Sequence, residues 1–465
     1  MTFKAQTLRF IHMTSDKKPN IVLITFDSTR ADRMGIAGNK KNLTPFLDSL
    51  AQKGVYFKKA FATGPGSPHS FVAILTSTNP FDYGGFEYID RPRVLVSEVL
   101  KSAGYTTLAV HSTAYMSAYF GYDRGWDELD YLSSFGDGEV VPGMRHDSWQ
   151  TKFLKKLSAI HRFLVEKSSF ANKLFTFFEQ IIFIPRKIIL DIARFRPAFI
   201  IAEDINKEVK KVVPKEPEKP LFLWVHYMDP HGPYALFWKL NGGFIQKTKY
   251  FLCDIIPFIF GQRSWITRLF LPLFIDAYDS SIKYTDQNIK EVFEYLSSIG
   301  VINDDSLVVI CSDHGEEFFD HGVIGHIDTL NNTNLNVPLI FYSPKNLAPK
   351  NIDRPVSLID ISPTIVHFAK LPPSTDFKGV NIFDEKKRPI VFQVPNTESD
   401  LSNQVFLGAG IIYEGYKLVH MTDKKMLFSL ENDFEEKNNL YGKEKAIVEK
   451  LEKILEPYES ILPPQ

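Results

Sequence analysis

The sequence predicts an α/β protein whose mainly parallel central sheet is flanked by helices. Three observations lead there. Short apolar runs rich in β-branched residues recur along the chain, segments of helical periodicity lie between them, and several runs end in an acid or a histidine. Strands that alternate with helices form parallel sheets covered on both faces. A chain of 465 residues with 44% apolar content can bury one large core and a smaller one beside it.

Taken in order, NIVLITFD at 20–27 is a buried strand that ends in an acid. In LTPFLDSLAQKG, Thr44 is placed to cap a helix, Pro45 fits its first turn and Gly54 ends it. GPGSPHSFVAILTS at 64–77 passes from a turn into an apolar run. Read locally, Ser67 is a helix cap, and it also stands at the positive end of a helix dipole, where an anionic ester is stabilised. TTLAVHS at 106–112, LFLWVHYMD at 221–229, LVVICSD at 307–313 and VPLIFYS at 337–343 read as further strands. In YDSSIKYTDQNIKEVFEYLSSIG, Ile282, Ile289, Val292, Phe293, Leu296 and Ile299 recur at helical spacing before Gly300.

Two phenylalanine-rich segments, 150–203 and 236–275, break the alternation, and basic residues outnumber acids from Lys152 to Arg196. They read either as ordinary helical insertions or as a basic amphipathic surface that meets a membrane or a lipid-linked anionic substrate. KEVKKVVPKEPEKP at 207–220 reads as an exposed linker.

Composition narrows the function classes. Lysine and arginine number 54 against 55 acids, so no global field points to nucleic acid. The two cysteines, Cys253 and Cys311, exclude a disulfide framework and a zinc-thiolate cluster. The N-terminal MTFKAQTLRFIHMTSDKKPN lacks the apolar stretch of about 7 to 15 residues of a signal peptide. No run reaches the roughly 18 apolar residues of a membrane span. A cytoplasmic location is the resulting expectation, with the membrane surface as the alternative place of work.

Ligands of open α/β sheets bind beyond the carboxyl ends of the strands. Asp27, Asp229 with His231, and Asp313 with His314 all stand there. SDHGEEFFDHGVIGH at 312–326 delivers Asp313 and His314 together, and a glycine-containing loop returns His326 to the same neighbourhood. Carboxylate and imidazole together suit zinc or manganese, and suit magnesium or calcium less well. The expected cofactor is therefore one or two divalent metal ions.

With these segments, the chain resembles the sulfatase family of the alkaline phosphatase superfamily. NIVLITFDSTRADRMG is similar to the family's first strand with its metal-binding aspartate, and LTPFLDSLAQKGVYFKKAFA to the helix that follows. GSPHSFVAILTS occupies the nucleophile segment, FGYDRGWDELD a family turn, HYMDPHGPY the histidine loop and SDHGEEFFDHGVIGH the metal loop. VSLIDISPTIVHFAKL resembles a late strand-helix unit, and LFSLENDFEEKNNL a C-terminal signature.

The resemblance implies an alkaline phosphatase-like core over 20–385 after an N-terminal extension at 1–19. It also implies a small antiparallel sheet with a closing helix over 386–465. It implies Asp27, Asp313 and His314 as ligands of a metal that also holds a nucleophilic Ser67. His231 and His326, with Asp229, would bind the substrate's anionic group or a second metal. The implied activity is hydrolysis or transfer of a phosphate or sulfate ester, on a substrate that is a glycan or lipid-linked ester in some readings.

The sequence departs from the family in ways that matter. Counting back from Thr76 puts Ser67 at the nucleophile, but His69 and Phe71 occupy the proline and arginine positions read by the formylglycine-generating enzyme. Ser28 replaces the family's second early aspartate. These changes favour an unmodified serine and a phosphoester, as in the family's phosphodiesterases and its phosphoethanolamine or phosphoglycerol transferases. A true sulfuric ester hydrolase and a catalytically silent glycan- or membrane-binding relative are the alternatives. Asp360 reads as a structural cap and His321 as a loop residue. Arg30 and Asp32 either steer the substrate or pair at the surface, Lys417 resembles a family lysine without an assigned role, and His69 and His226 match no family ligand.

Overall fold

The computed structural model describes residues 18–86, 89, 92–132, 200–232, 253, 256–257, 261–326, 329–396 and 405–460. The N-terminal extension to residue 17, most of the first insertion and much of the second lie outside the described residues. The described parts of 1–132 and 201–465 belong to one compact unit.

Its centre is an eight-stranded sheet. The strands in chain order are β1 (Ile21–Phe26), β2 (Val55–Phe57), β3 (Thr106–His111), β4 (Glu128–Tyr131), β5 (Leu221–Tyr227), β6 (Leu307–Ser312), β7 (Leu339–Tyr342) and β8 (Lys350–Ile352). They lie side by side as β8-β2-β7-β6-β1-β5-β3-β4. β1 pairs in parallel with β5 and with β6, and β3 pairs in parallel with β4 and β5. β7 runs antiparallel to both its neighbours, so the sheet is mixed on one side. Every residue of β1, β5 and β6 is buried, as expected of strands covered by helices on both faces.

Two departures of the helices from the sequence signals stand out away from the site. The helix α1 (Pro45–Lys53) has proline in its first turn, but Thr44 does not cap it. Thr44 bonds Gly35 and Asp48 instead, while Asp286 takes the amides of Phe46 and Leu47 at 3.1 and 2.9 Å. The cap is thus a tertiary one, supplied by a distant helix. The second exception is 207–220, whose first half belongs to a helix over Ala202–Val212 rather than to a linker. Ile205 and Val209 of that helix are buried, four residues apart on one face.

The helix α2 (Ser67–Thr76) is buried almost all round. The long helix Leu271–Ser298 extends the periodic segment backwards into the second insertion. The C-terminal strands Ile390–Asn396, Val405–Tyr413, Tyr416–Met421 and Lys425–Ser429 form an antiparallel sheet in that order. Its two faces divide the work: Ile390, Phe392, Ile412 and Val419 join the main core. Val391, Ile411, Leu418 and Leu427 pack with Val448, Leu451 and Leu455 of the closing helix Lys445–Leu455. That alternation is the period of two that a sheet buried on both sides requires.

Candidate active site

Three adjacent strands end at one place. Thr25 of β1 stands opposite His226 of β5 and Cys311 of β6. The residues just beyond are therefore neighbours: Asp27 donates its amide to Tyr227 O, and Asp313 donates its own to Phe26 O. Asp27, Asp313, His226 and His314 are all fully buried. Ligand atoms of Asp27, His226 and Asp313 lie within 4.8 Å of one another.

Backbone and hydroxyl donors hold the carboxylates. Ser28 Oγ donates to Asp27 Oδ1 at 2.6 Å, and the amides of Ser28 and His314 donate to Asp313 Oδ1 at 3.2 and 2.8 Å. Ser28 adopts a left-handed φ of 51° to do so, an uncommon conformation for a residue other than glycine. Asp313 Oδ2 is buried with no hydrogen-bond partner. Burial pushes the Asp27 carboxyl upward, but the imidazoles of His231, His314 and His226 around it outweigh that and hold Asp27 well below the ordinary range. Burial and the neighbouring Asp27 charge together raise Asp313 to about 7.

The hydrogen bonds also fix which nitrogen of each histidine faces this cluster. Thr25 Oγ1 donates to Val225 O, so it acts as acceptor for Trp224 Nε1 at 2.9 Å and for His226 Nδ1 at 3.0 Å. With the single Thr25 hydroxyl proton on Val225 O, His226 carries its own on Nδ1, and its Nε2 lone pair lies 3.7 Å from Asp27 Oδ2 and 3.2 Å from Met228 Sδ. His314 Nδ1 donates to Gly315 O at 2.9 Å, which leaves the Nε2 lone pair 3.4 Å from Asp27 Oδ1 and 3.7 Å from Asp313 Oδ2. Gly315 allows that arrangement, since a Cβ there would lie 2.0 Å from Thr333 O. Two lone pairs, an ionised carboxylate and an orphaned carboxylate oxygen turned upon one another repel unless a cation stands between them. The donor set fits a divalent metal, and Asp27, Asp313, His314 and His226 are the residues to hold it.

Ser67 opens α2 as its first residue, with Gly66 as the N-cap, so the local reading of Ser67 as a cap does not hold. Its Oγ donates to Asp27 Oδ2 at 2.9 Å and lies 3.4 Å from His314 Nε2. Phe71, four residues on, is fully buried against Trp224 and His226, with ring centroids 5.4 and 4.8 Å apart. The position that would be arginine in the family thus packs His226 from behind.

His231 and His326 are brought together beside the cluster. Their rings are 5.1 Å apart, and His326 is 4.4 Å from the ring of His314. Glu316 Oε1 holds His326 Nδ1 at 3.1 Å. Asp229 does not join them. One of its oxygens accepts from the amide of Ala202 at 3.1 Å, and burial beside Glu203 and Asp204 raises its pKa to about 7. An acid at a strand end also serves the positive end of a nearby helix, and that is where this one lies.

Sequence reasoning missed His226. All seven residues of β5 are buried, so alternation gives no sign of which way a side chain faces. The signal that could have found it is register, because β5 ends beside the strand that delivers Asp27.

The remaining candidates are structural. Arg30 is 7% exposed and bonds Asp32, Asp320 and the carbonyl of Glu316, so it pins the metal loop. Asp360 is structural but not through a capping bond: it accepts from Val380 N at 2.9 Å and pairs with Arg388. His321 bonds Glu317 at 2.8 Å. Lys417 is fully buried on Glu436 and Asn332. His69 is 6% exposed with neither ring nitrogen bonded, and its pKa falls to about 3 through burial and the nearby His314 and His326.

Known proteins share this organisation. The chain is 24% identical over 406 residues to an arylsulfatase of Clostridium perfringens, covering 79% of this chain and 78% of that protein. A putative sulfatase from Bacteroides thetaiotaomicron superposes with a TM-score of 0.66 at 16% identity, over 95% of this chain and 92% of that one. The phosphonate monoester hydrolase of Agrobacterium radiobacter gives 0.66 at 18% identity over 96% of both chains. The family model named Sulfatase matches residues 19–371, which include Asp27, Ser67, His226 and Asp313. The chain belongs to the Sulfatase family of ester-hydrolysing enzymes.

Proposed function

We propose that this protein cleaves a phosphate ester through a covalent intermediate on an unmodified Ser67. The observation that carries the reading is the hydroxyl of Ser67, which donates to Asp27 at 2.9 Å inside a buried set of carboxylates and histidines. Asp27, Asp313, His314 and His226 would hold a divalent ion, which would supply a Lewis acid for the ester oxygens and for the serine hydroxyl. Imidazole donors alongside carboxylates favour zinc or manganese over calcium or magnesium.

The chain's own residues do the rest. Ser67 Oγ, oriented by Asp27 Oδ2, attacks phosphorus, its proton passes to Asp313, whose carboxyl burial and the Asp27 charge raise to about 7, and the bond to the leaving oxygen breaks. His231 and His326 meet the anionic oxygens and hand a proton to the departing alcohol. Glu316 on Nδ1 leaves Nε2 of His326 for that task. Water, or an acceptor alcohol in a transferase, then displaces Ser67 Oγ and regenerates the hydroxyl. The buried floor, built from β1, β5 and β6, keeps bulk water from the nucleophile's other side.

The loss of proline and arginine at His69 and Phe71, together with Ser28 and His314 in the ligand region, supports a serine that escapes modification and a phosphoester substrate. The arylsulfatase relative supports a second reading, a sulfate ester on the same machinery. Turnover of aryl phosphate mono- and diesters and aryl sulfates, each with zinc, manganese and calcium, separates the two. A kcat/KM at least about tenfold higher for a phosphoester is expected. Preference for the sulfate overturns the phosphoester reading and leaves the family intact. An aldehyde at position 67 in an intact mass spectrum overturns the unmodified serine.

A further inference from the structure

Among the described residues four large hydrophobic side chains are exposed: Tyr115, Tyr119, Trp265 and Leu269. Trp265 and Leu269 are the most exposed, at 72% and 67%. They sit four residues apart on the short helix Trp265–Leu269, and so on one face of it. Arg263 and Arg268 flank them, both exposed. Neither arginine has an ion-pair partner among the described residues.

This turn is held, not frayed. Ser264 Oγ accepts from the amide of Ile266, and buried Thr267 donates to Gly261 O at 2.8 Å. Phe270, Leu271, Leu273 and Ile275 behind it pack on a core of Phe274, Tyr278, Ile282 and Phe318. An open groove lined by Lys41, Leu271, Pro272, Ile275 and Asp276, with a volume of about 380 Å³, follows directly in the chain. The same segment touches the active-site loop: Gln262 O accepts from the amide of Ile324 at 3.2 Å, two residues before His326.

We infer that the Trp265–Leu269 face, with Arg263 and Arg268, docks on an anionic lipid surface. Tryptophan and leucine on one turn of a rigid element bury into the headgroup boundary, and flanking arginines meet the negative headgroups. Charge complementarity selects this occupant. The chain as a whole is near neutral, at a formal charge of −1, while this face presents beside its apolar pair two exposed guanidinium groups without an ion-pair partner among the described residues. Docking there brings the His326 loop close to the plane in which a lipid-linked ester would lie. The inference stands whichever ester the site cleaves.

The test is sedimentation of the full metal-loaded chain with phosphatidylcholine vesicles, with and without phosphatidylglycerol. The expected result is binding to the anionic vesicles that weakens with salt. It should fall by about tenfold or more in Arg263→Gln with Arg268→Gln, and again in Trp265→Ser with Leu269→Ser. Both paired variants are at the surface and should keep wild-type melting and wild-type turnover of a water-soluble aryl ester. Wild type that ignores anionic vesicles, or paired variants that bind them as wild type does, overturns the inference. So does a wild-type dimer in light scattering that Trp265→Ser with Leu269→Ser dissociates, because the face then belongs to a second copy of the chain.

Discussion

At the scale of single residues, Ser67 and the two histidines on the metal-ligand cluster make separable predictions. Ser67→Ala should lower turnover by about a thousandfold or more while leaving metal content unchanged, as measured by initial rates and elemental analysis. Thr25→Val removes the acceptor that holds the proton on His226 Nδ1. Metal affinity should fall by about 10- to 100-fold, read by competition with a chromophoric chelator, with little change in the cold stability of the fold. Unchanged affinity would show that His226 is not a ligand. Asp27, Asp313 and His314 were legible because acids and histidines at strand ends are conspicuous in an apolar chain. Asp229 fitted the same pattern and answers to a different need, since the amide of Ala202 takes its carboxylate. Sequence shows that an acid ends a strand, and only the neighbouring helix shows where the acid turns.

At the scale of elements, the metal loop is tied at both ends to other parts of the chain. Lys417 of the C-terminal sheet reaches Glu436 at 2.5 Å and donates to Asn332 Oδ1 at 2.8 Å, all buried, and Asn332 Nδ2 in turn donates to Phe434 O. Lys417→Ala strands the Glu436 charge and should cost about 3 to 5 kcal/mol in urea unfolding. Lys417→Met with Glu436→Leu should recover most of that loss. The Glu317 and His321 pair gives the loop a pH signature. Burial pulls His321 down, but Glu317 lifts it above its ordinary 6.5; burial pushes Glu317 up, but His321, Thr333 and Asn331 hold it below its ordinary 4.5. The histidine's contribution is therefore complete below 6.5 and fades as pH rises through its raised value. The glutamate's is complete above 4.5 and fades as pH falls through its depressed value. His321→Asn should flatten the decline in urea midpoint on the alkaline side and shrink, without abolishing, the acid-side decline, since Thr333 and Asn331 still hold Glu317. The helices show the same division between local and tertiary causes. Periodicity located Leu271–Ser298 only from Tyr278 on, the charge-rich face of Ala202–Val212 disguised a helix as a linker, and the cap of α1 comes from Asp286, 240 positions from Phe46.

At the scale of the whole molecule, the order β6-β1-β5 makes the site, because three neighbouring parallel strands end together and deliver Asp313, Asp27 and His226 to one point. The fold class was readable from alternating runs, and the antiparallel β7 was not, since a buried strand carries no mark of its direction. A cation bound among these strands stabilises the folded state over the unfolded chain. Chelation should lower the melting temperature as well as turnover, and zinc or manganese should restore both. The most direct test of the central claim is a crystal structure of the metal-loaded protein with anomalous scattering from the ion. The account predicts one strong peak at bonding distance, about 2.0 to 2.2 Å, from Asp27, Asp313 and a histidine Nε2, with Ser67 Oγ beside it. A peak elsewhere, or a Ser67 hydroxyl turned away from it, would contradict the account.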